Sequence, residues 1–359
     1  MKLLFVCNTL YQIIVASAIR KMFPDAKADI ILSDHSTANE KVCKKINESK
    51  YIFDRAFYVE TKYLYAYDEK ITRVQRYKLI RDKDTVPSMV AIDKKYDAFF
   101  CANADPFTDR VANYVKQMNK YATLNWFEDG LSAYSLDRVY FPSKYKILRG
   151  KIKKAWFGVY NLTSFIDNFY VFKPSKMEWK PIAAIKEIAA IDKNLAEKLG
   201  KIFSYSECTD SYEEKYIFFE DGMQDWEQGS DIMLLNKIAN IIGKENIIVR
   251  THPRDTSNRF ESAGFKTNSE SSVPWEIIAI NMNLRGKVLM TMYSQSVIMP
   301  DILMGTKETV VSLGELDPNY DSKNHELYSY MKRAYFDKDT LHYKIPHDMH
   351  EFERIIGLL

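Results

Sequence analysis

The sequence predicts an α/β protein made of two Rossmann-like, doubly wound domains facing a central cleft. Three observations predict it. The first 135 or so residues alternate short apolar runs with segments of helical period, the pattern of a parallel sheet wrapped by helices. The same alternation resumes after residue 215. Between Tyr216 and Pro253 lies a strand, an acidic loop, a helix and a second strand that ends on His252-Pro253. A crossover of this kind is right-handed, and ligands bind outside the carboxyl ends of its strands. The acidic loop and His252 both fall there.

In the first half, Lys2–Cys7 is a continuous apolar run suited to a central parallel strand. Asn8-Thr9 makes the turn, and either residue is able to cap a helix from Leu10 to Phe23. Ala28–Ser33 reads as a strand, Ala38–Ile46 as a helix and Arg55–Val59 as a third strand. Lys62 to Lys95 is charged and helical without strand signals. Asp97–Cys101 resumes the sheet, Asp109–Asn119 is a helix, and Tyr121–Phe127 is a strand that runs into Glu128-Asp129-Gly130. Tyr140 to Phe172 breaks the pattern, with Lys144, Lys146, Arg149, Lys151, Lys153 and Lys154 interleaved with apolar and aromatic residues. It reads either as a solvated basic loop or hairpin, or as a patch for anionic lipid or an anionic acceptor.

Pro181–Asp192 and Asn194–Ile202 have helical character, followed by a polar connection at Ser204–Glu214. In the second half the expected strands are Tyr216–Phe219, Asn246–Arg250, Lys287–Met292 and Thr309–Leu313. The helices between them are Asp231–Ile242, Pro274–Met282 (Pro at N1) and Gln295–Met304. Gly243 stands where a glycine past a helix C-terminus belongs. The expected division is residues 1–180 for an N-terminal Rossmann-like domain, 181–345 for a C-terminal Rossmann-like domain, and 346–359 for a final amphipathic helix.

Composition narrows the function classes. With 46% hydrophobic and 28% charged residues the chain is globular. A net charge of +3 does not argue for nucleic acid. The cysteines Cys7, Cys43, Cys101 and Cys208 show no CxxC spacing, which points to reduced thiols and no zinc site. No GxGxxG or GxxxxGK[ST] occurs, so nicotinamide dehydrogenases and P-loop kinases recede. The amino-terminal apolar stretch is split by Asn8, Thr9 and Gln12 and suits a strand and helix better than a signal peptide. No window reaches the roughly 18 apolar residues of a membrane span. A cytoplasmic protein is expected, with peripheral contact to the inner membrane through residues 144–157; a homodimer is compatible with the chain.

Four constellations at strand ends carry chemistry. In Glu128-Asp129-Gly130 a carboxylate becomes a general base if burial raises its pKa. The loop Glu220-Asp221-Gly222-Met223-Gln224-Asp225, with Glu227 beyond, offers further carboxylates but no DxD or His to suggest a metal. In Arg250-Thr251-His252-Pro253-Arg254 an imidazole between two guanidinium groups suits a phosphate oxygen that gains charge. Tyr293-Ser294-Gln295-Ser296 ends a strand and opens a helix, where hydroxyls and free N–H groups hold an anion. Capping and turn formation explain each motif as well, so their order matters more than any one. The remaining histidines, His35, His325, His342, His347 and His350, read as incidental.

That order resembles bacterial sialyltransferases, and most closely glycosyltransferase family 52, the lipooligosaccharide and capsule sialyltransferases. The motifs concerned are FVCNTLYQ, WFEDG, the acidic loop, His252-Pro253, Val273-Pro274-Trp275-Glu276 and YSQS, over roughly residues 2–313. The resemblance implies a GT-B fold, a CMP-sialic acid donor, a galactose-terminated surface glycan as acceptor, and inversion without an obligatory metal or other cofactor. It assigns His252 to the departing CMP phosphate, Ser294 and Ser296 to holding that phosphate, and Glu276 to the ribose or cytosine. Pro253, Arg254 and Tyr293 go with the donor; Asn8, Thr9, Glu128 and Gly130 go with the acceptor. For the base it ranks Asp225 first, Asp129 second and Asp221 third.

Overall fold

Two parallel sheets organise the chain. The first holds β1 (Lys2–Cys7), β2 (Lys27–Ser33), β3 (Arg55–Val59), β4 (Ala98–Cys101), β5 (Thr123–Phe127), β6 (Asn168–Val171) and β7 (Ala184–Glu187), in the order β3-β2-β1-β4-β5-β6-β7. The second holds β8 (Tyr216–Phe219), β9 (Ile247–Arg250), β10 (Lys266–Thr267), β11 (Val288–Thr291), β12 (Thr309–Ser312) and β13 (Tyr343–Lys344), in the order β10-β9-β8-β11-β12-β13. The computed structural model describes residues 1–135, 144–207, 212–222, 230–252, 255, 257–268, 273–317 and 326–359. It divides into two units, Met1–Phe203 and Ser204–Leu359.

In the first sheet the strand order reverses between β1 and β4, and in the second between β8 and β11. These are the switch points beside which open α/β sheets bind ligands. The central strands are apolar because helices cover both faces: Leu3, Leu4, Phe5 and Cys7 have no exposed surface, and Ile217, Phe218 and Phe219 have almost none. Several helices start where the sequence supplies a side-chain cap. Thr9 accepts the Gln12 N–H at 3.2 Å to open Leu10–Lys21, and Asp105 accepts from Phe107 and Thr108 to open Pro106–Met118. Asp348 caps Met349–Gly357, which buries Phe352.

Several expectations need correction. Residues 181–192 contain β7, which is hydrogen-bonded to β6 in parallel register, in place of a helix. All four β7 residues are exposed at the sheet edge, so no apolar alternation marks the strand. That pairing, together with the helix Lys193–Ile202 packed on the helices Leu10–Lys21 and Asn39–Ser49, carries the first unit to Phe203, beyond the expected 180. The basic stretch is neither loop nor hairpin but a helix, Lys144–Phe157, and β6 follows it unforeseen. The helix expected over Gln295–Met304 is a 3-10 turn, Gln295–Ile298, followed by Met299–Met304. Pro300 lacks the N–H that a continuous helix would direct at Ser296. Pro274 is the cap of Trp275–Asn281 with extended backbone, one position before N1. The final helix clusters with the second unit.

Candidate functional site

The second unit places its candidate groups on three adjacent strands, β9, β8 and β11, at their carboxyl ends. Glu220, the first residue after β8, continues the sheet: its N–H donates to the Arg250 carbonyl at 3.0 Å. Its carboxylate is buried and accepts the backbone N–H of His252 at 2.8 Å. Arg259 Nε donates to the other oxygen at 2.9 Å, and Arg259 also reaches Asp231 at 2.6–2.8 Å and Asp255 at 3.4 Å. The backbone of His252 is therefore clamped by a carboxylate that Arg259 holds in turn. Burial pushes Glu220 up to about 7 against the opposing pull of the His252 N–H and Arg259.

Gly222 lies against the His252 imidazole. A Cβ at residue 222 would stand 2.5 Å from Cε1 and 2.7 Å from Cδ2 of that ring, far inside normal contact. Between them, Asp221 accepts the Tyr293 N–H at 3.0 Å and so ties the end of β8 to the end of β11. Burial raises it to about 7, with Asp231 and Glu220 adding repulsion. Ser294 N–H donates to Thr291 Oγ1 at 2.7 Å, Ser294 Oγ accepts from the Ser296 N–H at 3.4 Å, and the Trp275 indole donates to the Ser296 carbonyl at 3.0 Å. Ser294 and Ser296 stay partly exposed. Burial also raises Glu276, with Arg250 pulling the other way. Arg250 itself is inside the fold, donating to Tyr212 and to the Val273 carbonyl.

In the first unit a hydrogen-bond chain joins the ends of β1, β4 and β5. Asn8 Nδ2 donates to Asp105 at 2.9 Å, Asn8 N–H donates to Gln12 Oε1 at 2.7 Å, and Gln12 Nε2 donates to Asp129 at 2.9 Å. Burial raises the Asp129 carboxyl, partly offset by that Gln12 bond. Ser33 donates to Asn8 Oδ1 at 2.8 Å, and His35 Nδ1 lies 2.9 Å from the same hydroxyl.

The two units use one device twice, in the repeated sequence Phe-Glu-Asp-Gly at 127–130 and 219–222. Glu128 N–H donates to the Tyr170 carbonyl and its carboxylate accepts the Phe172 N–H at 2.9 Å. Glu220 relates to Arg250 and His252 in the same way. In both copies the Glu is a buried staple to the neighbouring strand and the Asp stays partly exposed.

Three expected contacts are thereby corrected. Glu128 has no exposed surface and is taken by Tyr11, Tyr134 and Phe172, so it does not face an acceptor. Asn8 is buried in its own hydrogen bonds. The Tyr293 ring is packed on Gly314 with its hydroxyl donating to the Gly314 carbonyl at 3.2 Å, so it anchors the turn instead of meeting a donor. Thr9 is engaged as a cap, and Gly130 takes a positive φ of 75° at the turn. Asp225, Pro253 and Arg254 lie outside the described residues, as does the rest of the acidic loop. Asp105 and Arg259 are functional-site residues that the sequence reading does not single out: the Asp105-Pro106 cap signature is a local signal for the first, and no local signal marks the second, whose contacts to Glu220 and Asp231 are long-range.

Two units with parallel sheets, each with its polar groups gathered at a switch point, define the GT-B fold, and comparison with solved structures agrees. The chain is similar to the UDP-GlcNAc 2-epimerase from Methanocaldococcus jannaschii, with a TM-score of 0.56 at 13% identity over 100% of this chain and 92% of that one. It is also similar to a glycotransferase of kitacinnamycin, with a TM-score of 0.50 at 10% identity over 97% and 86%. At such identities the likeness is one of fold. No protein-family model and no curated protein matches the sequence. Among the described residues no helix is long and apolar enough to cross a membrane.

Proposed function

We propose that the chain is an inverting sialyltransferase that moves sialic acid from CMP-sialic acid to a galactose-terminated surface glycan without an obligatory metal. The observation that carries this reading is the row of His252, the Asp221–Gly222 turn and Ser294 at the ends of three adjacent strands beside the β8/β11 switch point. CMP is already a competent leaving group. The second unit then needs only to absorb charge on the departing phosphate, which an imidazole and serine hydroxyls do; the Tyr293, Ser294 and Ser296 N–H groups are spent within the turn and set its shape. His252 supplies the proton or strong hydrogen bond; Ser294 and Ser296 hold the phosphate; Glu276 meets the nucleoside.

The acceptor hydroxyl must also lose a proton. Of the described carboxylates, Asp129 suits this best: it is raised by burial, partly exposed, and keeps one oxygen clear of the Gln12 bond. Asp221 is occupied in holding Tyr293, so its role is to set the Ser294 turn. Asp225 is the other contender for the base.

The test is a thermal-shift panel of CMP, UDP and GDP followed by a CMP-sialic acid hydrolysis assay. Stabilisation by CMP alone, with donor hydrolysis lost in His252→Ala, is the expected result. Stabilisation by UDP alone would favour a second reading, a UDP-sugar enzyme, which the likeness to a UDP-GlcNAc 2-epimerase motivates. CMP binding without transfer or hydrolysis would indicate a silent nucleotide-binding partner.

A further inference from the structure

The helix Lys144–Phe157 takes no part in either strand-end cluster, and its surface is unusual. It carries Lys144, Lys146, Arg149, Lys151, Lys153 and Lys154 and no acidic residue. Gly150 is its one buried residue, pressed against Ser164. The same side holds Lys154, whose ammonium lies 4.3 Å above the Tyr160 ring, and Phe157, 5.2 Å from Tyr77. The opposite side points away from the fold and is apolar. Tyr145, Leu148, Ile152 and Trp156 are 72%, 56%, 51% and 80% exposed. At about 100° per residue these four fall within an arc of roughly 80°. Arg149 and Lys153 border that arc on one side, Lys144 and Lys151 on the other.

We infer that this helix docks the protein on an anionic lipid surface, lying in the interface plane with the stripe sunk among the acyl chains. Two large aliphatic side chains between two aromatic ones, with cations along both borders, match what an interfacial helix presents. Tyr and Trp favour the headgroup level, and the bordering cations meet lipid phosphates. A second copy of the chain is a poor occupant, since six cations would face six like charges. A nucleic acid would satisfy the cations but would leave Leu148 and Ile152 against phosphate. The inference is independent of which donor the enzyme uses.

The full-length protein is sedimented with vesicles of equal parts phosphatidylglycerol and phosphatidylcholine, and with pure phosphatidylcholine vesicles, at low and high salt. Binding to the anionic vesicles alone is expected, weakened about tenfold or more by high salt. The triple variant Leu148→Ser, Ile152→Ser, Trp156→Ser removes the stripe. The double variant Arg149→Glu, Lys151→Glu reverses its border. Each is expected to weaken binding at least about tenfold while melting as the wild type does, because all five side chains are exposed. Equal partition onto both vesicle types, undiminished binding by the triple variant, or no binding by the wild type would overturn the inference. So would a wild-type dimer in gel filtration that the triple variant converts to monomer, since the stripe would then be covered by a second copy.

Discussion

Gly222→Ala tests the site through a single methyl group. Gly222 has no positive φ, so alanine is compatible with its backbone, and the residue is exposed, so no core contact is lost. The added Cβ nevertheless arrives 2.5–2.7 Å from carbons of the His252 ring. Ordinary carbon contact begins near 3.5 Å, so the imidazole must retreat by roughly 1 Å. The His252 backbone cannot follow, because its N–H is held by Glu220 at 2.8 Å; the ring swings instead. A misplacement of about 1 Å at a catalytic group costs on the order of 100-fold. Transfer from CMP-sialic acid, measured as kcat/KM, is expected to fall by about that factor, with Tm within about 2 °C of wild type. The double variant with His252→Ala is expected to be no worse than His252→Ala alone, as for two changes acting through one group. Near-wild-type turnover in Gly222→Ala would refute the assignment of the imidazole to the chemistry, since the ring would have moved without consequence.

His252→Ala is expected to abolish transfer and leave the Tm near that of wild type, because the Glu220 bond uses the backbone N–H; a large loss of Tm would make the ring structural. Asp129→Asn keeps the size of the group beside Gln12 and is expected to lower transfer about 100-fold or more while donor hydrolysis persists; if Asp225→Asn alone does this, the base is Asp225. Glu128→Ala removes the buried acceptor shared by the Phe172 N–H and the Tyr11 and Tyr134 hydroxyls, at a cost of about 3 kcal/mol and a fall in Tm on the order of 8 °C; an unchanged Tm in calorimetry would contradict the staple. Asp221 titrates near 7 when folded, against an ordinary value of 3.8. The folded state therefore binds the extra proton between those values, so this group's contribution to stability falls as pH rises from about 4 to about 7. Asp221→Asn should flatten that decline in Tm and be more stable than wild type at pH 8; a steeper decline would show that the raised value is wrong.

The central strands and their helices were legible because burial on both faces leaves unbroken apolar runs such as Leu3–Cys7 and Tyr216–Phe219. The edge strand β7 was not: Ala184–Glu187 is exposed throughout and offers the same polar-apolar mixture as a surface helix. The basic stretch hides its helix for a related reason, since Lys144–Phe157 buries so little that its helical period points outward. Pro300 divides the helix after Ser294 and leaves a 3-10 turn in place of one longer helix. At the site, the acidic motifs were found without their division of labour. Glu128 and Glu220 look like catalytic carboxylates in sequence and are buried staples in the fold.

The two α/β repeats, the carboxyl-edge location of the acidic and imidazole groups, and the order of motifs are written in the chain locally. Local period and strand-end position follow from neighbours in the chain. Which carboxylate of each Glu-Asp pair is tied to the next strand and which remains accessible is set by the folded chain, as is the room Gly222 leaves for the His252 ring. Those outcomes depend on N–H groups and side chains that parallel pairing brings from 32 to 72 residues away in the chain, contacts that no local pattern encodes.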